Sequence, residues 1–488
     1  MAETLKEKTA KGLFWGGLSN GAQQLVSLVF GIFLARKLSQ DDYGMVGMLT
    51  VFSTIASALQ EGGFISALNK KKEVEHKDYN AVFWFSTLCG LSLYILLFFC
   101  APLIARFFGE SELIPLSRYV FLGFVVSSFG IAPRAWLFRN LRNRETAIIS
   151  FSSLTISNLV GVLLAWNGYA YWGIATQTIV YVTLFSTLSF YFSGWYPNLQ
   201  IDFRPLREMI GFSSRLIITN IFNYLNANLF AIVFGRLYSK TDVGNFSQAR
   251  KWTDMGVSTI NNMLGGIAQP VLARVDDDIE RQLKVFRKML RFSAFVSFPA
   301  MFGLCIVSEE LIIITVTQKW LASVKIMQLL CIAGAFMPIS SLLFNLLISR
   351  GRSDIYMWGV ITLNLLQLVC VCLAAPWGMM WMIRIFVAIN IVWIFVWWFF
   401  VKREIGLRLR DMLSDLAPYM FLSLALVVMS WFVTYNIENI WLRFLCKTVV
   451  VALPYIGLLW LSRSVILRES ILFLFHKMKV DEHIKSSI

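Results

Sequence analysis

The stretch 20–44 reads NGAQQLVSLVFGIFLARKLSQDDYG, and 200 residues later 220–244 reads NIFNYLNANLFAIVFGRLYSKTDVG. Eight of the 25 aligned positions are identical without a gap: Asn20/Asn220, Leu25/Leu225, Phe30/Phe230, Ile32/Ile232, Arg36/Arg236, Ser39/Ser239, Asp42/Asp242 and Gly44/Gly244. Each copy runs through an apolar stretch and a short turn into the next apolar stretch. Crossing a hydrocarbon core takes about 20 apolar residues. Fourteen stretches meet that need, at 12–35, 43–66, 80–105, 113–136, 146–166, 171–193, 210–235, 243–270, 292–316, 324–348, 355–374, 379–400, 415–434 and 441–461. Six spans separate the two copies, so the repeat is parallel rather than inverted, the kind of duplication from which transporters build a site between two lobes. The expected fold class is all-α integral membrane. Residues 1–209 form an N-terminal lobe of six helices and 210–400 a second lobe of six. Residues 401–462 add helices thirteen and fourteen, and 463–488 form a tail.

Composition agrees. The 488 residues are 57% hydrophobic and only 15% charged, against about 45–50% and 25% in soluble domains. A soluble globular domain and a disordered chain are both excluded. The net charge of +15 does not point to nucleic acid, because the basic residues sit between apolar spans rather than on one folded face. The three histidines, His76, His476 and His483, are too few and too scattered for a metal site. All seven cysteines lie inside apolar stretches and read as small buried hydrophobes. No metal and no cofactor are expected. Lys6, Lys8 and Lys11 precede an apolar stretch followed by Arg36 and Lys37, not by the small residues of a signal cleavage site.

The loops set the orientation. Those expected on one side (1–11, 67–79, 137–145, 194–209, 271–291, 349–354, 401–414 and 462–488) hold 29 Lys and Arg, and the alternate loops hold 6. The positive-inside rule then places both termini in the cytoplasm. The split also needs an even number of spans. The tail from Arg463 reads equally as an interfacial amphipathic helix or as a loose segment with a turn or two of helix.

Within the repeated turn, Ser39 and Asp42, like Ser239 and Asp242, are residue types that cap a following helix. Gly44 and Gly244 sit one turn inside that helix, where a small side chain lets helices approach closely. A plain structural hairpin accounts for these residues. Polar residues on the same four spans fall on single helical faces. These are Asn20, Gln23, Gln24 and Ser27; Thr50, Thr54, Ser57 and Glu61; Arg215, Thr219, Asn223 and Asn226; and Ser247, Arg250, Asp254, Ser258 and Asn261. Amides facing lipid are costly, so the stripes must face other helices or water. Hydrogen bonding between helices and a polar cavity between the lobes both satisfy that demand. Charges singled out within the spans are Arg118, Arg134, Arg215, Arg250, Lys251, Arg384 and Lys447, with Glu61 and Asp254 as acidic counterparts. The cationic excess points to an anionic cargo, since guanidinium matches phosphate oxygens in a bidentate way. Arg250 and Asp254, one turn apart, can also simply neutralise each other. Arg134 and Lys447 can snorkel.

GLFWGGLSNGAQQLVSLVFGIFLARKLSQDDYGMVGMLTVFSTIASALQEGGFISAL (12–68), with LARKLSQDDYG (34–44) as its most specific part, resembles the start of the polysaccharide transport family. That family, of Wzx-type flippases, belongs to the multidrug/oligosaccharidyl-lipid/polysaccharide exporter superfamily. APRAWLFRNLRNRETA (132–147), VGNFSQARKW (243–252), PAMFGL (299–304) and QKW (318–320) resemble later parts of the family pattern. The resemblance covers most of 1–350 and fades over the last four helices. It implies flipping of an oligosaccharide on undecaprenyl diphosphate, for lipopolysaccharide, capsule or exopolysaccharide assembly, with no enzymatic step. In that reading Arg250, Arg118, Arg215 and Lys251 neutralise the diphosphate. Asn20, Gln23, Gln24, Asn223 and Asn226 hydrogen-bond sugar, and Glu61 or Asp254 couples to ions. The expected partners are the lipid-linked oligosaccharide, membrane lipids and glycan polymerase or glycosyltransferase proteins, for a monomer in the bacterial cytoplasmic membrane. A cation-coupled multidrug exporter of the same superfamily is the alternative; such exporters tend to carry acidic residues in helices one or seven, and the spans here have none.

Overall fold

The computed structural model describes residues 5–61, 68, 71, 74–206, 221, 224, 228–274 and 278–462. The described chain is helical, with α1 Leu5–Lys37, α2 Gln40–Glu61, α3 His76–Phe108, α4 Leu113–Arg139, α5 Asn143–Trp166, α6 Ala170–Ser193, α7 Leu229–Leu237 and α8 Lys240–Arg274. It continues with α9 Ile279–Ile306, α10 Ser308–Val316, α11 Leu321–Ser349, α12 Ser353–Leu373, α13 Met379–Ile405, α14 Leu409–Thr434 and α15 Ile440–Leu461. Ten helices among the described residues are long and apolar enough to cross a membrane. The long helices outside that ten are α1, α2 and α8. They are three of the four helices that carry polar stripes, so the same side chains lower their hydropathy and require a protein or water partner.

The ninth span differs from expectation. In place of one stretch over 292–316, α9 starts at Ile279 and ends at Ile306, and α10 follows after Val307. Asp278 caps α9 by accepting from the Arg281 backbone N–H at 2.9 Å. Phe286 and Leu290 are fully buried on the early turns. These turns are amphipathic rather than apolar throughout, so hydropathy alone reads them as loop.

The chain divides into two compact units, Met1–Ser247 and Gln248–Ile488. In the first, α3 packs on α4, α5 on α6, α4 on α6 and α1 on α5, while α2 lies against α3, α4, α6 and α7. Small residues allow this closeness. A Cβ added at Gly90 would come within 2.8 Å of the Phe124 carbonyl oxygen, and one at Gly130 within 2.7 Å of Ser186 Oγ, tighter than real side chains tolerate. Gln60, 1% exposed, sits in this packing. Its amide N–H donates to the Phe124 carbonyl at 2.5 Å and its oxygen accepts from Ser127 Oγ at 3.0 Å.

The two repeated turns meet. Asp42 accepts from the Ser39 hydroxyl at 2.7 Å, and the Asp42 N–H donates back to Ser39 Oγ at 3.2 Å. Ser239 and Asp242 repeat both bonds at the same distances. This reciprocal capping fixes the entry of each helix. The Thr241 hydroxyl donates to Asp41 Oδ1 at 2.6 Å. A Cβ on Gly44 would overlap the Lys240 carbonyl, and one on Gly244 would overlap the Gln40 carbonyl. Gln40 and Lys240 are themselves repeat equivalents, so the contact is reciprocal. The close approach expected of these glycines is therefore between the copies themselves. Lys240 also bridges to Glu110, just beyond α3, at 3.2 Å. Burial would lower the Lys240 pKa, but Glu110, Asp41 and Glu112 together hold it above its ordinary value.

At the opposite end of α3, Tyr79, Phe83, Ile131, Ala135 and Trp195 form a buried cluster. There the strap after α6 is tied down. Asn80 Nδ2 donates to the Gln200 carbonyl at 2.6 Å, the Asn198 N–H donates to Asn80 Oδ1 at 2.9 Å, and Trp84 Nε1 donates to the Asn198 carbonyl at 2.8 Å. In the second unit α9 packs on α11 and α14, α11 on α13, and α14 on α15. Arg287 of α9 holds Asp415 of α14 in a two-pronged bridge at 2.7 and 3.1 Å.

Candidate functional site

A cavity of about 320 Å³ lies inside the first unit, among α2, α4, α5 and α6. Its wall combines Ser57 and Gln60 of α2, Ser127 and Arg134 of α4, Thr146 and Ser150 of α5, and Tyr181 and Phe185 of α6. On α4 the lining residues Ser127, Gly130, Ile131 and Arg134 follow i, i+3, i+4, i+7, one helical face. Pro133 within α4 lacks a backbone N–H and so removes one helical hydrogen bond beside Arg134. The Arg134 guanidinium lies 5.7 Å from the centre of the Phe185 ring, within reach of a cation–π contact. Several lining hydroxyls spend their proton on backbone: Thr146 on the Arg142 carbonyl at 3.0 Å and Ser186 on Val126 at 3.1 Å. Their oxygen lone pairs then remain as acceptors. Among the described lining residues there is one guanidinium, that of Arg134.

The stripe residues are placed separately. Asn20 and Gln24 are exposed on α1 and Gln23 is half-buried. Thr54 of α2 accepts from Asn228 Nδ2 at 3.1 Å, so one stripe does bond to the second repeat copy. Arg250 Nε meets Asp254 Oδ2 at 3.1 Å, and Lys251 beside it is half-buried. Arg118 does not reach the cavity. It covers the Phe98 ring at 4.2 Å and donates to the Phe98 carbonyl at 3.4 Å, tying α4 to α3. Arg215, Asn223 and Asn226 lie outside the described residues, as does the Glu61 side chain.

Two of the charged span residues, Arg134 and Lys447, fall outside the set assigned to cargo. Arg134, exposed on α4, lines the cavity; its stripe with Ser127 has the same spacing as the stripes on the repeated helices. Lys447 lies buried against Glu310 at 2.7 Å and the Ile306 carbonyl at 3.0 Å. Arg443 reaches the same Glu310 carboxylate at 2.5 Å, and Glu310 is fully buried. Among the described residues no cluster of His, Cys, Asp and Glu could hold a metal ion.

The helix set, the polar cavity and the intramembrane cations define an all-α, multi-pass membrane transporter. Solved structures share the fold. The inward-closed lipid II flippase MurJ matches with TM-score 0.76 at 16% identity, over 94% of this chain and all of that one. An inward-facing multidrug exporter of the MATE family matches with TM-score 0.64 at 15% identity, over 79% and 94%. Residues 33–325 match the polysaccharide biosynthesis protein family, and the chain belongs to it. Its relatives include the lipopolysaccharide biosynthesis protein WzxC of Escherichia coli K12, 24% identical over 72% of both chains. The teichuronic acid biosynthesis protein TuaB of Bacillus subtilis 168 is 23% identical over 75% of this chain and 77% of its own.

Proposed function

We propose that the protein flips a lipid-linked oligosaccharide across the bacterial cytoplasmic membrane for surface polysaccharide assembly. The match to the polysaccharide biosynthesis family, with relatives named for lipopolysaccharide and teichuronic acid synthesis, carries this reading. It is a transporter and not an enzyme. Both termini lie in the cytoplasm, and fourteen spans divide into lobes at 1–209 and 210–400 with helices thirteen and fourteen at 401–462. The lobes alternate access by rocking about the repeat axis, with the undecaprenyl diphosphate end of the cargo held by Arg250, Lys251, Arg118 and Arg215. Asn20, Gln23, Gln24, Asn223 and Asn226 meet the sugars, and the protein works as a monomer beside glycan polymerase and glycosyltransferase proteins. Glu61 and Asp254 are the groups through which an ion gradient would act. Ligands move such an equilibrium only through unequal affinity for its two states.

Transport in proteoliposomes tests the reading. Radiolabelled undecaprenyl-diphosphate oligosaccharide should reach the far leaflet only when the protein is present. Extrusion of cationic dyes without any such movement would replace it with drug export.

A further inference from the structure

We infer that the strap after α6, residues 196–203, is a membrane anchor seated in the lipid interface beside the start of α3 and the end of α6. Its partner is the lipid surface itself, so the inference goes beyond flipping and holds whatever the cargo is. The strap is amphipathic with a period of two. In YPNLQIDFR (196–204), Leu199, Ile201 and Phe203 alternate with Asn198, Gln200, Asp202 and Arg204, the pattern of an extended segment with one apolar and one polar face. The apolar face is not spent on the core. Leu199 is 89% exposed and Ile201 53%, and Tyr196 and Phe203 are exposed beside them. The core takes the two ends instead, Trp195 and Leu206, which are buried with Tyr79 and Phe83. Between these ends Asn80 and Trp84 pin the strap backbone, and the Tyr196 ring stacks on Phe190 of α6 at 6.2 Å. The segment is thus held in place with its apolar side chains outward, so little ordering is needed when they meet a partner.

Depth identifies that partner. Asn80 and Trp84 lie four and eight residues inside α3, about 6 and 12 Å from its start at 1.5 Å per residue. The 33 residues of α3 span about 50 Å, against about 30 Å of hydrocarbon. Sharing the excess between the two ends sets Trp84 at the boundary of headgroups and acyl chains. The strap therefore folds back along α3 to that boundary and does not stand out in water. Trp84 also begins a stripe with Leu88, Leu91 and Ile95, at i, i+4, i+7 and i+11 on one helical face. The three aliphatic residues are exposed on a helix long and apolar enough to span, so acyl chains cover this face. Because Trp84 donates to the Asn198 carbonyl, the apolar face of the strap continues a lipid-covered surface. Its composition fits as well. Aromatic rings with a neighbouring Arg are typical of the membrane interface. Arg204 is met by Asp202 at 3.9 Å, so the patch offers apolar area more than charge. In the orientation proposed above, this is the cytoplasmic leaflet.

Nitroxide labels on the full-length protein measure the depth directly, in a background without the seven native cysteines and in vesicles of phosphatidylethanolamine and phosphatidylglycerol. Labels at Leu199→Cys and Ile201→Cys should collide severalfold more often with oxygen than with a water-soluble nickel chelate. A label at Arg204→Cys should show the reverse. A second measurement uses the wild-type chain and so covers a cysteine-free background that fails to fold. Phosphatidylethanolamine carrying a diazirine near the glycerol end of one acyl chain should leave adducts on peptides from 196–203 after illumination. Collisions dominated by nickel at both Leu199 and Ile201 would put the strap in water, open to a soluble protein partner. Labels that neither reagent reaches would mean that a second copy of the chain covers the patch. Either result, or a wild-type strap without lipid adducts, would overturn the anchor.

Discussion

Arg250 and Asp254 sit one helical turn apart on α8, with their side chains 35% and 57% exposed. A pair this open contributes little to stability, about 0.3–0.5 kcal/mol. Arg250→Ala should therefore leave protein level and thermal midpoint close to wild type, and lower transport in proteoliposomes if Arg250 holds the cargo. Folded protein with unchanged transport would make the pair structural. Lys447 is the contrasting case. It shares the fully buried Glu310 carboxylate with Arg443. Removing one partner of a buried pair costs about 3–5 kcal/mol, because a charge is left without compensation. The remaining Arg443 puts Lys447→Met at the low end of that range. Its thermal midpoint should fall clearly, and adding Glu310→Gln should restore part of the loss. Hydropathy does not distinguish these two cations. What separates them is a partner from another helix, supplied by tertiary packing, and that is why Lys447 reads from sequence as a snorkelling side chain.

The repeated turns show what an element can encode in sequence. Ser39, Asp42 and Gly44 recur as Ser239, Asp242 and Gly244, and the pattern is legible as a cap followed by a close-packing glycine. That Gly44 receives the Lys240 carbonyl and Gly244 the Gln40 carbonyl is not legible, because it depends on how the two turns meet. Gly44→Ala or Gly244→Ala should force the turns apart, at a cost in the overpacking range of about 1–3 kcal/mol. A disulfide between Asp41→Cys and Thr241→Cys, whose side chains touch at 2.6 Å in the native pair, reports the separation. It should form readily in the native background and poorly with either alanine. Undiminished cross-linking would show that the backbones have room to spare. The α4 face of Ser127, Gly130, Ile131 and Arg134 lies at the limit of legibility. Its spacing is visible, yet only the neighbouring α2, α5 and α6 turn that face into a cavity wall. The early turns of α9 fail for the opposite reason: their amphipathic pattern resembles a basic loop until Phe286 and Leu290 find a core.

Across the whole chain, the contacts of the first unit constrain its topology. The turns at Ser39 and Ser239 touch, and Lys240 reaches Glu110 at the far end of α3, so these three points share a side. Asn80, at the other end of α3, binds Asn198 and Gln200, so the strap after α6 lies on the opposite side. In the fourteen-span arrangement proposed above, α2 to α6 cross the membrane five times between Ser39 and that strap. That arrangement places its seventh span between Asn198 and Ser239. That is the parity the sequence repeat and the 29-to-6 division of basic residues require. Single cysteines placed at exposed positions in a background without the seven native ones test it. Asn140→Cys and Asn198→Cys should react with an impermeant maleimide only from the cytoplasmic side, and Asn167→Cys and Ser239→Cys only from outside. Asn198→Cys and Ser239→Cys labelling from the same side would remove the seventh span, and with it the parallel repeat on which alternating access is built.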